Sequence, residues 1–194
     1  MIIHESEGKS KENFYERKTV MQRAMKMMEK GEVVCPICGE KMRLHGAYSR
    51  RPKDNEGVRH EGWVAQGHCV TCNKYHSVIP SFIRPYKQYE AEVIEAVLRA
   101  EEEGGGKRQS DCPANESTIN RWKREFAERG ARALGYMMSL VYNIYGEYIS
   151  VIASQKEGLM KQLGRLTARL LGHERGLVIG RSNIILTRYN NGYL

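Results

Sequence analysis

Four cysteines stand in two matching pairs, Cys35-Pro36-Ile37-Cys38-Gly39 and Cys69-Val70-Thr71-Cys72-Asn73, with 30 residues between the pairs. Two thiolates separated by two residues grip one ion from a tight turn, and a second such turn completes a tetrahedral set. Four thiolates leave no position open to water, so the set implies a structural ion and not a catalytic one. The N-terminus shows no basic-then-apolar leader, which leads us to expect a cytoplasmic protein and favours metal over disulfides. A redox pair needs no duplicate turn, and an iron–sulfur cluster is admitted on ligand count alone. The expected cofactor is one structural Zn2+ on Cys35, Cys38, Cys69 and Cys72. Gly39 and Asn73, which follow the two pairs, both tolerate a positive φ. His68 and His76 flank the second pair, and either can replace a thiolate. Both are expected to lie outside the ligand set, and His45 and His60 at the surface.

The elements that must position these cysteines are short strands. Lys41 to Tyr48 alternates loosely and ends in the basic stretch Ser49-Arg50-Arg51-Pro52-Lys53, and Asp54-Asn55-Glu56-Gly57 is turn material. Gly62 to His68 leads into the second pair, and Tyr75 to Pro80 leads out of it. Strand, knuckle and strand around one ion make a zinc ribbon. So small a sheet buries too little apolar area to fold alone, so the ion must supply much of its folding energy.

A second unit follows Pro85. Tyr89, Val93, Ile94, Val97 and Leu98 recur at helical spacing, with Glu90, Glu92, Glu95 and Arg99 expected to face out. Gly104-Gly105-Gly106 ends this helix. After the basic stretch Lys107-Arg108 and the break at Pro113, Asn115 is a good N-cap for a helix running to Phe126. Ile119, Trp122 and Phe126 share its inner face. Two helices joined by a short helix and a tight turn read as a helix-turn-helix, whose last helix enters a major groove by its first turn. Ser117, Asn120 and Arg121 then reach base edges, while Lys107, Arg108, Lys123 and Arg124 meet phosphates. Cys112 has no partner cysteine and reads as a small buried residue.

Composition agrees with a polyanionic partner. The chain has 31 basic and 23 acidic residues, a net charge of +8, which favours nucleic acid over membrane. Only residues 83–103 invert the sign, with 3 basic and 6 acidic groups. No uncharged apolar run is long enough to span a membrane.

The order CPICGEKMRLHGAYSRR, QGHCVTCNKYHSVIPSFIRPYKQYEAEVIEAVL and CPANESTINRWKREF resembles the transposase-like zinc-ribbon and helix-turn-helix proteins of bacteria and phages. More narrowly it resembles the DUF6431 family of Firmicutes and their phages. The likeness covers roughly residues 33–130. It implies Cys35, Cys38, Cys69 and Cys72 as zinc ligands and the helix from Ser117 to Arg124 as a DNA reader. The triple glycine and the Asp111-Cys112-Pro113 segment depart from the apolar positioning helix usual in such units.

The flanks are helical. Phe14, Val20, Met21, Met25 and Met28 give residues 11–30 a partial apolar stripe, for packing or for a homodimer, with a basic arm as the alternative. Leu134 to Ile152 repeats apolar residues at helical spacing, including Tyr136, Tyr142, Tyr145 and Tyr148, which suit packing better than base stacking. Leu159, Leu163, Leu166 and Leu170 form a further helix broken at Gly172, with Lys161, Arg165 and Arg169 as a basic stripe on its other side. Val178 to Leu186 is a last apolar stretch, helix or strand.

Transposase nuclease domains need clustered carboxylates for two metal ions. After residue 130 the chain offers only Glu147, Glu157 and Glu174. No Ser-His-Asp pattern, phosphate-binding loop or HExxH appears. The sequence therefore predicts an α+β, mostly helical fold: an arm or helix over 1–32, a zinc ribbon with a small antiparallel sheet over 33–82, a helix-turn-helix over 83–130 and C-terminal helices over 131–194. The expected function is non-enzymatic binding of double-stranded DNA, with no membrane and no small-molecule substrate. The alternatives are a zinc-stabilised protein-interaction module and a non-catalytic subunit of a nuclease or recombinase.

Overall fold

The computed structural model describes residues 2–4, 14–104, 112–148, 157–172 and 177–188. In chain order its elements are β1 (Ile2–His4), α1 (Arg17–Glu29), β2 (Arg43–Arg50), β3 (Gly62–Cys69), β4 (Lys74–Pro80), α2 (Ala91–Glu102), α3 (Glu116–Tyr145), α4 (Leu159–Leu171) and α5 (Val178–Arg188). The fold is α+β.

β2, β3 and β4 form an antiparallel meander, and β1 adds to β4 in parallel, giving the order β1-β4-β3-β2. The sequence does not announce β1, because three residues are too few for a periodic signal. Arg43 pairs with His68 and Gly46 with Gln66, so a bulge at His45 leaves one residue extra on β2. α1 packs on one face of the sheet. Ala24 and Met28 meet Met42, Ala65, Cys69 and Val78 there, with Val33 and Cys35 closing the cluster. This is the packing role allowed for the N-terminal helix. Part of the opposite face is covered by Phe14, Phe82, Ile83 and Ile184, which enclose Val64 and Ile79. Gly62 admits the Phe14 ring, which would lie 1.7 Å from a Cβ at that position.

The larger core belongs to the helices. Val93, Ile94, Val97 and Leu98 of α2 meet Ile119, Trp122, Phe126, Met137 and Val141 of α3, Met160, Leu163 and Leu166 of α4, and Val178, Ile179 and Ile185 of α5. Asn115 caps α3 as expected, its side chain accepting from the Thr118 N–H at 2.9 Å. The sequence suggests one helix ending near Phe126 and another over 131–155, with a domain boundary at 130. Instead α3 runs unbroken through that point and stops at Gly146, whose φ is 69°. Gly130 is there for contact: a Cβ on it would lie 2.7 Å from Leu159 of α4. Ile144, Tyr145 and Tyr148, expected to pack, are exposed. Ile149 and Ile152 lie outside the described residues.

Two glutamates correct the expected outer face of α2. Glu90 and Glu95 are 3% and 2% exposed. The Glu95 carboxylate accepts the Val178 and Ile179 N–H groups at 3.1 and 3.0 Å, and so caps α5. It also accepts from Arg99 one turn along its own helix, at 2.8 Å. Two turns further on, Glu102 accepts the Met160 N–H at 2.7 Å and caps α4. A carboxylate at a helix N-terminus satisfies orphan donors and meets the positive end of the dipole. One helix thereby fixes the starts of two others. α5 itself is buried on all sides along Val178 to Leu186, which is why its composition shows no clean stripe.

Candidate metal centre and nucleic-acid face

The first cysteine pair sits in a loop before β2, closed by an isolated bridge between Val34 and Lys41. The Cys35 N–H donates to the Glu40 carbonyl at 2.8 Å, and the Gly39 N–H to the Cys35 carbonyl at 2.9 Å. The second pair forms the β3–β4 turn, where Cys69 pairs with Lys74. Gly39 and Asn73 take the positive φ values their positions predict, 76° and 53°. The two turns bring all four Sγ atoms within 4.8 Å of one another. Cys35 and Cys72 approach to 3.5 Å, and Cys38 and Cys69 to 3.4 Å. Cys35 and Cys69 are buried, Cys72 is half-buried and Cys38 is exposed. Such a cluster could hold a metal ion.

The clustered thiols shift one another's titration in opposite directions. Burial, and then the neighbouring thiols of Cys35, Cys69 and Cys38, push Cys72 up to about 12. Burial also raises Cys35, but the N–H groups of Cys38 and Ile37 outweigh it and bring that thiol to about 7. A cation among them reverses this logic, because it stabilises every thiolate at once.

Neither flanking histidine joins the four sulfurs. His76 is buried and lies beside the cluster, its Nε2 3.4 Å from Cys35 Sγ. This is the position of a group that orients a ligand through its sulfur. His68 turns to the other face, where its Nε2 meets Asn73 Oδ1 at 2.9 Å. His45 is exposed, and half-buried His60 pairs with Asp54 at 2.6 Å.

At the start of α3, Ser117, Asn120, Arg121 and Arg124 are all exposed, while Ile119, Trp122 and Phe126 are buried beneath them. The Ser117 hydroxyl donates to Asn115 Oδ1 at 3.1 Å, so it belongs partly to the cap. Lys123 is half-buried and forms an ion pair with Glu101 at 2.6 Å, which ties its charge into the fold. Lys107 and Arg108 lie outside the described residues. Cys112 is half-buried against the helical core.

The structure adds a neighbour to this helix start. The loop between β2 and β3 reaches it: a Cβ on Gly57 would lie 3.0 Å from Pro113, and the Tyr89 hydroxyl donates to the Pro113 carbonyl at 3.3 Å. The Lys53 ammonium sits 5.2 Å over the Tyr89 ring. The basic run beginning at Ser49 is the sequence signal for this loop, but nothing in it indicates where the loop docks.

The basic stripe on α4 is largely paired. Arg165 meets Glu157 at 2.9 Å, and Arg169 pairs with Glu147 while covering the Tyr145 ring at 3.8 Å. Two of the three carboxylates after residue 130 are thus spent on arginines, and the third, Glu174, lies outside the described residues. Among the described residues no helix is long and apolar enough to cross a membrane.

Fold and site together define an α+β protein in which a four-cysteine sheet is joined to a helical unit. Residues 35–122 match the model of the DUF6431 family, described as a domain of unknown function. No curated protein and no solved structure matches the chain.

Proposed function

We propose that the chain is a DNA-binding protein in which a zinc ribbon and a helix-turn-helix act together on duplex DNA. The observation that carries this reading is the start of α3, which exposes Asn120, Arg121 and Arg124 over a face sealed by Ile119, Trp122 and Phe126. A recognition helix needs that polarity, with base-edge donors outside and a rigid apolar seat below. α2 and α3 are the first and last helices of the motif. The charge distribution supports the reading too. Part of the acidic interruption is engaged within the fold, since Glu95, Glu101 and Glu102 accept from the start of α5, from Lys123 and from the start of α4.

Zinc fits the sulfurs. A tetrahedron with Zn–S bonds of about 2.3 Å has edges of about 3.8 Å; two sulfur pairs lie 3.5 and 3.4 Å apart and all four atoms within 4.8 Å of one another. Its role is structural, holding the sheet whose β2–β3 loop abuts the start of α3. The chain performs no catalytic step in this reading and serves as the targeting part of a regulator or mobile element in the cytoplasm. A protein-interaction module is the second reading, favoured by Tyr142, Ile144 and Tyr148 exposed at the end of α3.

Arg121→Ala separates the two. It should weaken binding to a selected duplex by about 1–3 kcal/mol and relax base preference at one position. Fluorescence anisotropy on the selected and a scrambled duplex measures both. Equal affinity of the variant and the parent for the selected duplex would remove α3 as the reader.

A further inference from the structure

Among the described residues, one half of the sheet's second face is not covered. α1 occupies the first face, and Phe14, Phe82, Ile83 and Ile184 cover the second only around Val64 and Ile79. The strand register places Arg43, His68 and Tyr75 side by side across β2, β3 and β4. Tyr48 lies on the same face, and its hydroxyl donates to Ser77 Oγ at 3.1 Å across the intervening Gln66.

The rings are organised and open at once. Tyr75 stacks on His68 with centroids 4.5 Å apart and planes 26° apart, and His45 meets the Tyr75 ring edge-on at 4.7 Å. Asn73 fixes His68, and Asn73 is the positive-φ residue that closes the second cysteine turn. Tyr75 nevertheless keeps 50% of its surface in solvent and Tyr48 36%. None of Arg43, His45, Tyr48, Gln66, His68 and Tyr75 is acidic. A pre-oriented, half-exposed aromatic cluster beside an exposed arginine matches the chemistry of an unpaired base attached to a phosphate backbone. A base inside a duplex has no free π-face to offer it.

We propose that this open half-face is a base-stacking platform for a nucleic-acid strand with unpaired bases, separate from the duplex-reading start of α3. The cysteine turn positions Asn73, Asn73 orients His68, and His68 supports Tyr75. Strand binding therefore depends on the filled metal site, although no metal touches the strand.

The test uses the full metal-loaded chain and fluorescence anisotropy with labelled oligo-dT, oligo-rU and a duplex. Oligo-dT, oligo-rU or both should bind, and the choice between them shows whether the sugar matters. Tyr75→Leu, which keeps apolar bulk but loses the ring, should weaken strand binding about tenfold, within the range of one base–aromatic stack. Tyr75→Phe should retain it. Metal content measured on each variant shows that the sheet is intact. Arg121→Ala should leave strand binding unchanged even where it alters duplex binding, so this proposal and the duplex reading fail separately. Absence of strand binding would overturn the platform. So would equal affinities for Tyr75→Leu and the parent, or loss of strand binding with Arg121→Ala.

Discussion

The two halves of the molecule are held together in different ways. The sheet's α1-side core consists mostly of small or slender side chains, with Ala24, Val33, Ala65 and Val78 around Cys35 and Cys69. The helical core buries Phe126 and contains Trp122, Met137, Leu163, Leu166 and Ile179 at or near zero exposure. Burial of apolar surface stabilises by roughly 25 cal/mol per Å2, so the helical half has far more of this driving force. On the proposed reading, a metal ion on its four sulfurs offsets that difference. The contrast lies between a sheet that gathers four cysteines beside a slender core and a helical unit that rests on bulky packed side chains.

The largest expected effect breaks only one side of that contrast. A strong chelator should melt the sheet and leave most of the helical signal in circular dichroism, because structural zinc in small domains contributes on the order of 10 kcal/mol or more. Cys69→Ser should do the same without chelator. A metal-free chain with unchanged protection of the β3 and β4 amides in hydrogen exchange would show that packing suffices.

A smaller effect should break the other side. Glu95→Ala strips the α5 start of its two N–H acceptors and Arg99 of its partner. We expect a loss of about 2–4 kcal/mol, since each buried donor left unsatisfied costs about 1–3 kcal/mol. Urea denaturation measures it, and metal stoichiometry should stay at that of the parent. Loss of metal together with stability would mean that the halves fold as one unit.

The local features of this design were legible in the sequence. Spacing placed the cysteine turns, the three antiparallel strands and the apolar face of α2, because each depends on near neighbours. The cap at Asn115 and the positive φ of Gly39 and Asn73 are local in the same way. What sequence could not supply was partners in space. Periodicity put Glu95 on an outer face of α2, since it cannot show that the start of α5, more than eighty residues away, arrives there. Gly130 looked like a boundary, but it admits Leu159 of α4 within an unbroken helix. Tyr75, His68 and His45 are scattered along the chain, and only the strand register assembles them. Nor could spacing show that Lys123, expected to meet a phosphate, pairs with Glu101.

The central claim is that the exposed start of α3 engages duplex DNA, and salt tests it most directly. Phosphate neutralisation releases counterions, so log K must fall linearly with log salt by about 0.9 per phosphate engaged. Anisotropy of a labelled duplex with the metal-loaded chain should show tight binding at low salt and a slope of about −0.9 for Arg124 alone, steeper for each further phosphate that Lys107, Arg108 or Lys123 engages. No binding at low salt, or an affinity indifferent to salt, would contradict the account.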